Sequence, residues 1–291
     1  MKTPIVFLGP QSATFSYEAY GILADMYGAP QYSHETSEIV LVERNEDVVP
    51  KLIKCGGGYG VIAMETKAQG RIDPPVNSFI ELLNQGNSLE LLSVIGAVRM
   101  RLHFVLMARK DVDVKTVTHV VAHPRALGAC RKNIEQLGLT MIESSSNGKA
   151  AQDVASKDCL AHAAAIAPIS AAEKCGLTPL WRGFEDEKAE TTFFLLGPQG
   201  RQPSQGTNYR SLIVFKSEHA PGSLVSVLSP FGDAKINLIH VHSLYIGGEY
   251  GFAIECELKR SELQLYDHAL KLARQSTLKF VAFGPFPIRS L

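Results

Sequence analysis

The stretch VTHVVAHPRALGACRKNIEQLGLTMIE, residues 117–143, decides the fold class. Residues 117–122 favour a strand, residues 124–137 a helix and residues 140–143 a second strand. The same alternation extends along the chain in both directions, with further strands predicted at 4–9, 60–64, 104–109, 163–167 and 192–196. Repeated alternation of this kind is typical of mainly parallel sheets covered by helices, so the sequence predicts an α/β architecture.

A second type of pattern follows a break in this alternation. Residues 197–209, GPQGRQPSQGTNY, lack apolar periodicity and are predicted to be a linker. After them come a strand, a helix, a hairpin around Gly247 and Gly248, a second helix and a last strand. The order βαββαβ is typical of a ferredoxin-like domain. A chain of 291 residues has room for about two domains, in agreement with this division.

Composition excludes several classes of function. The 29 Lys and Arg residues balance 29 Asp and Glu residues, so no net charge attracts a nucleic acid or an anionic membrane. No apolar run approaches the roughly 18 residues of a membrane-spanning helix, and no signal peptide is expected. The five cysteines are widely spaced without a Cys-x-x-Cys pair, which favours reduced thiols. We therefore expect a cytoplasmic protein.

Two short motifs are weaker candidates for ligand binding. The run Gly56 to Gly60 leads into a strand, whereas a phosphate loop opens a helix, so a turn is the better interpretation. His240 and His242 lie two apart on a predicted strand and could form half of a metal site. No Cys or carboxylate at suitable spacing completes it, so we predict ordinary strand histidines and no bound metal.

Four polar segments lie where α/β sheets bind ligands, after strands or at the starts of helices. They are residues 9–16, 64–71, 144–148 and 190–194. Each segment alone is more often structural than functional. Their convergence in one architecture favours a small anionic ligand.

The order of these motifs resembles the prephenate dehydratase family. The motifs are GPQSATFS at 9–16, GVIAME at 60–65, HPRALGAC at 123–130, SNGKAA at 146–151, AAIA at 164–167 and TTF at 191–193. The segments PGSL at 221–224 and INL at 236–238 resemble an ACT domain. The resemblance implies a two-lobed catalytic domain, similar to periplasmic binding proteins, over 1–198, with its second lobe at about 104–185. It also implies a linker at 199–209 and an ACT domain at 210–291, and no fused chorismate mutase is expected.

Four departures from the family pattern affect the expected chemistry and regulation. The family's Thr-Arg-Phe is here Thr191-Thr192-Phe193, so an arginine clamp for a carboxylate is missing from that position. The family's Glu-Asn-Ser is here Glu65-Thr66-Lys67, and the first turn lacks its glycine. In the ACT segment, Leu244 and Tyr245 replace an arginine and a proline, so we expect phenylalanine to inhibit weakly or not at all.

These departures leave three functions open. A dehydratase removes carbon dioxide and hydroxide from prephenate together, and a hydroxyl such as that of Thr191 must assist the departing hydroxide. If that assistance is misplaced, carbon dioxide alone leaves and the ring hydroxyl stays. We expect this prephenate decarboxylase reaction, with the dehydratase and a catalytically silent amino-acid or keto-acid sensor as alternatives. Neither lyase reaction needs a cofactor, and restoring arginine at position 192 is expected to raise dehydratase activity.

The resemblance assigns roles residue by residue. Thr191 is the predicted catalytic residue. Predicted substrate-binding residues are Ser12, Thr14, Phe15, Glu65, Thr66, Lys67, Arg71, Ser146, Asn147, Thr192 and Phe193. Lys67 or Arg71 is the predicted replacement for the missing arginine because both follow the strand at 60–64, with solvated surface charge as the alternative interpretation. Doubtful effector residues are Gly222, Ser223, Leu224, Asn237 and Leu238. Because ACT domains pair in this family, we also expect a homodimer or homotetramer.

Overall fold

The computed structural model describes residues 2–33, 35–67, 70–86, 89–156, 160–200, 206–246 and 248–291. Gln69, Cys159, Gly247 and residues 201–205 of the predicted linker lie outside these ranges. The described chain contains two β-sheets with helices packed on them. The predicted α/β fold with two lobes is confirmed.

The first lobe is built around a parallel core. Its elements are β1 (Thr3–Leu8), α1 (Phe15–Tyr27), β2 (Ser37–Val42), α2 (Val48–Lys54), β3 (Tyr59–Thr66), β4 (Gly70–Arg71), α3 (Asp73–Asn84) and β5 (Leu92–Leu102), and β11 (Ala189–Pro198) returns to it. Strand β1 lies between β2 and β3 in parallel, and β11 lies antiparallel between β3 and β5. The glycine run before β3 is a turn, as predicted, and a side chain at Gly58 would meet the Pro4 carbonyl at 2.5 Å.

The second lobe is an independent five-stranded sheet. Its elements are β6 (Val105–Ala108), β7 (His119–Ala122), α4 (Pro124–Ala129), α5 (Arg131–Gln136), β8 (Thr140–Glu143), α6 (Asn147–Ala155), β9 (Ala163–Ala167), α7 (Ile169–Cys175) and β10 (Thr178–Arg182). The strand order is β10-β6-β9-β7-β8. The helix predicted over 124–137 is divided at Cys130, whose φ and ψ of −117° and 15° are not helical. Strand β7 therefore leads directly into a short helix, α4, at the edge of the space between the lobes.

The C-terminal unit, residues 208–290, has the predicted βαββαβ order. Its elements are β12 (Asn208–Lys216), α8 (Ser223–Asp233), β13 (Asn237–Ile246), β14 (Glu249–Lys259), α9 (Leu263–Gln275) and β15 (Lys279–Ser290). The sequence predicts the last strand only as far as Phe283, whereas β15 extends to Ser290, and Ile288–Ser290 pair in parallel with Ala97–Arg99 of β5. The sheet of the C-terminal unit is therefore continuous with that of the first lobe, so the linker does not separate them.

The core extends through this joint. One apolar cluster combines Met64 and Phe194 of the first lobe with Leu212, Ala253 and Phe286 of the C-terminal unit. Within the described part of the chain, no helix is long and apolar enough to cross a lipid bilayer.

Candidate active site

A cleft of about 510 Å³ lies between the two lobes. Its polar lining includes Thr14, Thr66, Arg125, Ser146, Asn147 and Thr191. Its apolar lining includes Phe15, Phe104 and Phe193, and the rings of Phe15 and Phe104 meet edge to face at 5.1 Å. Because polar groups converge within apolar walls, the cleft has the form of a small-molecule site.

The starts of two helices form opposite sides of the cleft. Thr14 caps α1: its hydroxyl accepts from the Tyr17 amide at 3.3 Å and donates to the Leu8 carbonyl at 3.0 Å. Ser146 caps α6: its hydroxyl accepts from the Lys149 amide at 3.1 Å and donates to the Gly9 carbonyl at 3.0 Å. The Ser146 to Gly9 bond joins the second lobe to the first, and both caps favour a bound anion.

Neighbouring residues on β11 point to opposite sides of the sheet. Thr191 and Phe193 line the cleft, whereas Thr192, only 2% exposed, does not. Thr192 is the antiparallel neighbour of Glu65, which also points away from the cleft. The position that holds arginine in the family pattern therefore belongs to the back of the sheet in this chain.

The predicted replacements for that arginine are bound elsewhere. The Lys67 amine lies 3.4 Å from a carboxylate oxygen of Glu190, with its side chain 62% exposed. Arg71 is paired with Glu255 of the C-terminal unit, and neither Lys67 nor Arg71 lines the cleft. Ser12 also lies outside the cleft lining. These residues do not provide the positive charge inside the cleft.

Arg125, which was not predicted as a site residue, does line the cleft. It lies in the first turn of α4, and its Nη1 donates to the Thr66 hydroxyl at 3.4 Å, across from the second lobe to the first. Burial lowers the pKa of Arg125 and the charge of Asp73 opposes this shift, but a guanidinium remains protonated at neutral pH. Arg44 also lines the cleft, but it is mostly exposed and paired with Asp47 at 2.9 Å.

The start of α4 is held by its neighbours. The side-chain oxygen of Asn147 accepts from the His123 amide at 3.0 Å, and the His123 ring accepts from the Arg125 amide at 3.2 Å. Burial lowers the pKa of His123 and the nearby Arg125 lowers it further, which favours the neutral, accepting ring. Arg125 thus extends from a fixed backbone.

Comparison with known proteins gives this cleft a context. The sequence profile of the family described as "Prephenate dehydratase" matches residues 5–200. The chain belongs to the prephenate dehydratase family. It is 28% identical over 237 residues to the prephenate dehydratase of Methanocaldococcus jannaschii, covering 79% of this chain and 82% of that one. The similarity predicted from the motifs is confirmed.

A second curated protein and one solved structure are also similar to this chain. Arogenate dehydratase/prephenate dehydratase 2 of Arabidopsis thaliana is 27% identical over 212 residues, which is 68% of this chain and 55% of that protein. The chain spans 36% to 60% of the length of several other curated relatives. The crystal structure of prephenate dehydratase from Arthrobacter aurescens in complex with L-Phe has a TM-score of 0.77 at 21% identity. The structural match covers 98% of this chain and 89% of the Arthrobacter aurescens chain.

In this member of the prephenate dehydratase family, the predicted effector residues and the two predicted strand histidines lie outside the cleft lining. Gly222 precedes α8, Ser223 and Leu224 are in its first turn, and Asn237 and Leu238 begin β13. His240 and His242 contact Glu65 and Asn77 respectively. Among the residues that the structure describes, no group of three or more His, Cys, Asp or Glu side chains could hold a metal ion.

Arg125 could have been found from the sequence. It follows a predicted strand and lies at the start of a predicted helix, the same rule that selected the four polar segments. It was missed because the motif HPRALGAC was used only for its family-typical residues. The pairing of Glu65 with residues of the C-terminal unit, in contrast, has no local sequence pattern.

Proposed function

We propose that this protein is an aromatising dehydratase that acts on prephenate. The observation that carries this proposal is that the Thr191 hydroxyl and the Arg125 guanidinium line one cleft. Arg125 supplies a charge-assisted hydrogen bond to the pyruvyl carboxylate of the substrate. Thr191 assists the departure of the ring hydroxyl opposite that arm.

The reaction balances without a cofactor. The bond between the ring and its carboxylate breaks, and its electron pair moves through the ring to expel hydroxide. Thr191 donates a hydrogen bond to the leaving oxygen, which departs as hydroxide and takes a proton from solvent to become water, and phenylpyruvate and carbon dioxide are formed. The apolar wall of Phe15, Phe104 and Phe193 leaves the ring carboxylate poorly solvated, which favours its loss.

The decarboxylase reaction, which the sequence favoured, loses its main argument. That expectation depended on the loss of an arginine from the cleft at position 192. The Thr192 side chain faces away from the cleft, and Arg125 provides a cation from the other lobe. The named relatives are dehydratases, and Thr191 is retained, so both considerations support the aromatising reaction.

We also propose that the C-terminal unit is an ACT domain through which the chain forms a homodimer or homotetramer. Among the described strands, β13 is at the edge of the ten-stranded sheet. It exposes Val241 and Tyr245 by 52% and 59%. An unpaired edge with apolar side chains favours association with a second copy. A monomeric mass by light scattering at micromolar concentration would remove this proposal.

Product analysis tests the proposed reaction. The protein is incubated with prephenate, and the product is followed by ultraviolet absorbance and by the enol absorbance of phenylpyruvate in alkali. Phenylpyruvate as the main product supports the dehydratase, whereas a non-aromatic product with its hydroxyl would restore the decarboxylase. Arogenate in a parallel assay establishes whether the amino or the keto acid is the better substrate. Binding of prephenate by calorimetry without turnover would leave only the sensor.

A further inference from the structure

A cluster of buried charges joins the back of β3 to the C-terminal unit. We call it the ion cluster: Glu65, Arg71, Arg210, His240 and Glu255. Arg71 Nη1 lies 2.5 Å from Glu255 Oε2, and Arg210 Nη1 lies 2.8 Å from Glu65 Oε2 and 3.8 Å from Glu255 Oε2. His240 Nε2 lies 3.8 Å from Glu65 Oε1. The side chains of Arg210 and Glu255 are 3% and 0% exposed.

Stability alone does not account for such a cluster. The guanidinium groups of Arg71 and Arg210 face the carboxylates of Glu65 and Glu255, so these charges balance. Each of these groups nevertheless lost most of its hydrating water on burial. Replacing such a group by well-packed apolar residues is often neutral or stabilising in other proteins. Its hydrogen bonds are also incomplete: Arg71 Nε, Arg210 Nε and Glu255 Oε1 have no partner among the described residues. What the cluster does provide is a fixed position for Glu65.

Glu65 is directly connected to the cleft. The next residue, Thr66, turns to the opposite face of the sheet, and its hydroxyl accepts the hydrogen bond from Arg125 at 3.4 Å. Arg210 of the C-terminal unit thus holds Glu65, and the backbone of Glu65 and Thr66 carries that constraint to Arg125. This path runs from the C-terminal unit through the first lobe to the second. Helix α4, which bears Arg125, packs on α5, β8 and β9 of its own lobe.

We propose that Arg210 is a positioning residue for the cleft: by anchoring Glu65 it holds Thr66 against Arg125 and so sets the place of the cleft's cation. The structural part of this inference is independent of the reaction. Its kinetic part rests on the proposed dehydratase function. The C-terminal unit therefore completes the cleft without contributing a side chain to it.

Amide hydrogen exchange without any substrate tests the structural part. Arg210→Met is compared with the unaltered protein and with Lys216→Met. Lys216 is on the same strand, β12, and pairs with Glu249 inside the C-terminal unit, so it is the matched control. Arg210→Met is expected to accelerate exchange in residues 59–67 and in 123–130 of the second lobe. Lys216→Met is expected to accelerate exchange only within the C-terminal unit.

Unchanged exchange at 123–130 in the Arg210 variant would overturn the proposal, because a merely structural role ends at the joint between the units. If Arg210→Met does not fold, Arg210→Lys replaces it. Lysine keeps the charge but lacks the planar fork, so the same two segments should loosen to a smaller extent. Equal exchange in Arg210→Lys and the unaltered protein at 59–67 would also contradict the proposal.

A double-mutant cycle, measured with prephenate as substrate, tests the kinetic part of the inference. Arg210→Lys is expected to raise KM roughly fivefold or more with a smaller change in kcat, because substrate positioning rather than chemistry is affected. In a Thr66→Val background, where the hydroxyl that holds Arg125 is gone, the same change should add little to KM. Independent, multiplicative effects would overturn the relay through Thr66. If neither the unaltered protein nor any variant turns over prephenate, the proposed dehydratase function is wrong. The hydrogen-exchange experiment still tests the structural part of the inference.

Discussion

The two faces of strands β3 and β11 hold polar residues of different kinds. On the cleft face, Thr66 and Thr191 present hydroxyl groups to a cavity of about 510 Å³. On the back face, Glu65 belongs to the ion cluster and its neighbour Thr192 is buried. One step along the chain therefore separates a residue that lines the cleft from one that lies on the back of the sheet. A departure from a family motif has to be assigned to a face before it is interpreted as a change of reaction.

Removal of the Thr191 hydroxyl should have the largest effect on activity. Thr191→Val preserves the shape of the side chain but removes the hydroxyl that we propose assists the leaving oxygen, so kcat is expected to fall roughly 10²-fold or more. Thr192→Val is the matched control, because Thr191 and Thr192 are 4% and 2% exposed on the same strand. Steady-state rates with prephenate are the measurement. A similar loss in both variants would show that the two faces are not functionally distinct.

Arg125→Met should have the second largest effect, mainly on substrate binding. Loss of a charge-assisted bond to a carboxylate costs roughly 2 kcal/mol, which is about a 30-fold increase in KM. Arg125→Lys should recover part of this loss. Arg131→Met is the control, because Arg131 is on the following helix, α5, with its side chain 64% exposed. An unchanged KM for Arg125→Met would show that Arg125 is not the cation that binds the substrate carboxylate.

Local patterns predicted most of the fold and part of the site. The alternation at 117–143 gave the βαβ unit, and the motif ending in Phe193 selected Thr191, which the structure finds in the cleft. Simple strand alternation fails at β3, because the pairing with β11 shifts between Thr192 and Phe193. Two back-facing residues, Met64 and Glu65, therefore follow one another. Such a bulge depends on the partner strand, so the sequence of β3 alone does not reveal it.

Contacts between distant segments were the other limit of the sequence. Arg71 was predicted as a substrate ligand because it follows β3, but its partner Glu255 lies 184 residues away. The extension of β15 onto β5 is of the same kind, since it joins residues far apart in the chain. In both cases a polar or irregular segment, whose local sequence predicts a loop, joins the first lobe to the C-terminal unit.

Thr192→Arg tests the back face by restoring the family residue. The sequence alone predicted a gain in dehydratase activity from this change. The structure reverses the expectation, because the new side chain would enter a site that is 2% exposed beside a Glu65 already paired with Arg210. We expect a fall in Tm of roughly 5 °C or more from overpacking, with little change in activity of the folded protein. A several-fold rise in dehydratase rate would show instead that residue 192 reaches the substrate.

The smallest expected effect is a pH dependence that belongs to the back face alone. The neighbouring His240, opposed by burial and supported by Arg210, lowers the pKa of Glu65 from its ordinary 4.5 to about 2. A depressed carboxyl pKa stabilises the folded state above the unfolded value, and the contribution is lost as pH falls through the folded value. The difference in free energy of unfolding between the unaltered protein and Glu65→Gln should therefore be constant above about pH 5. It should shrink from pH 4.5 towards pH 2.

Urea unfolding at a series of pH values measures this difference in free energy of unfolding, with Thr192→Val as a control that changes no charge. A difference that persists undiminished at pH 2 would show that the Glu65 carboxylate is not held by the ion cluster, and the back face would then differ from the cleft face in packing only.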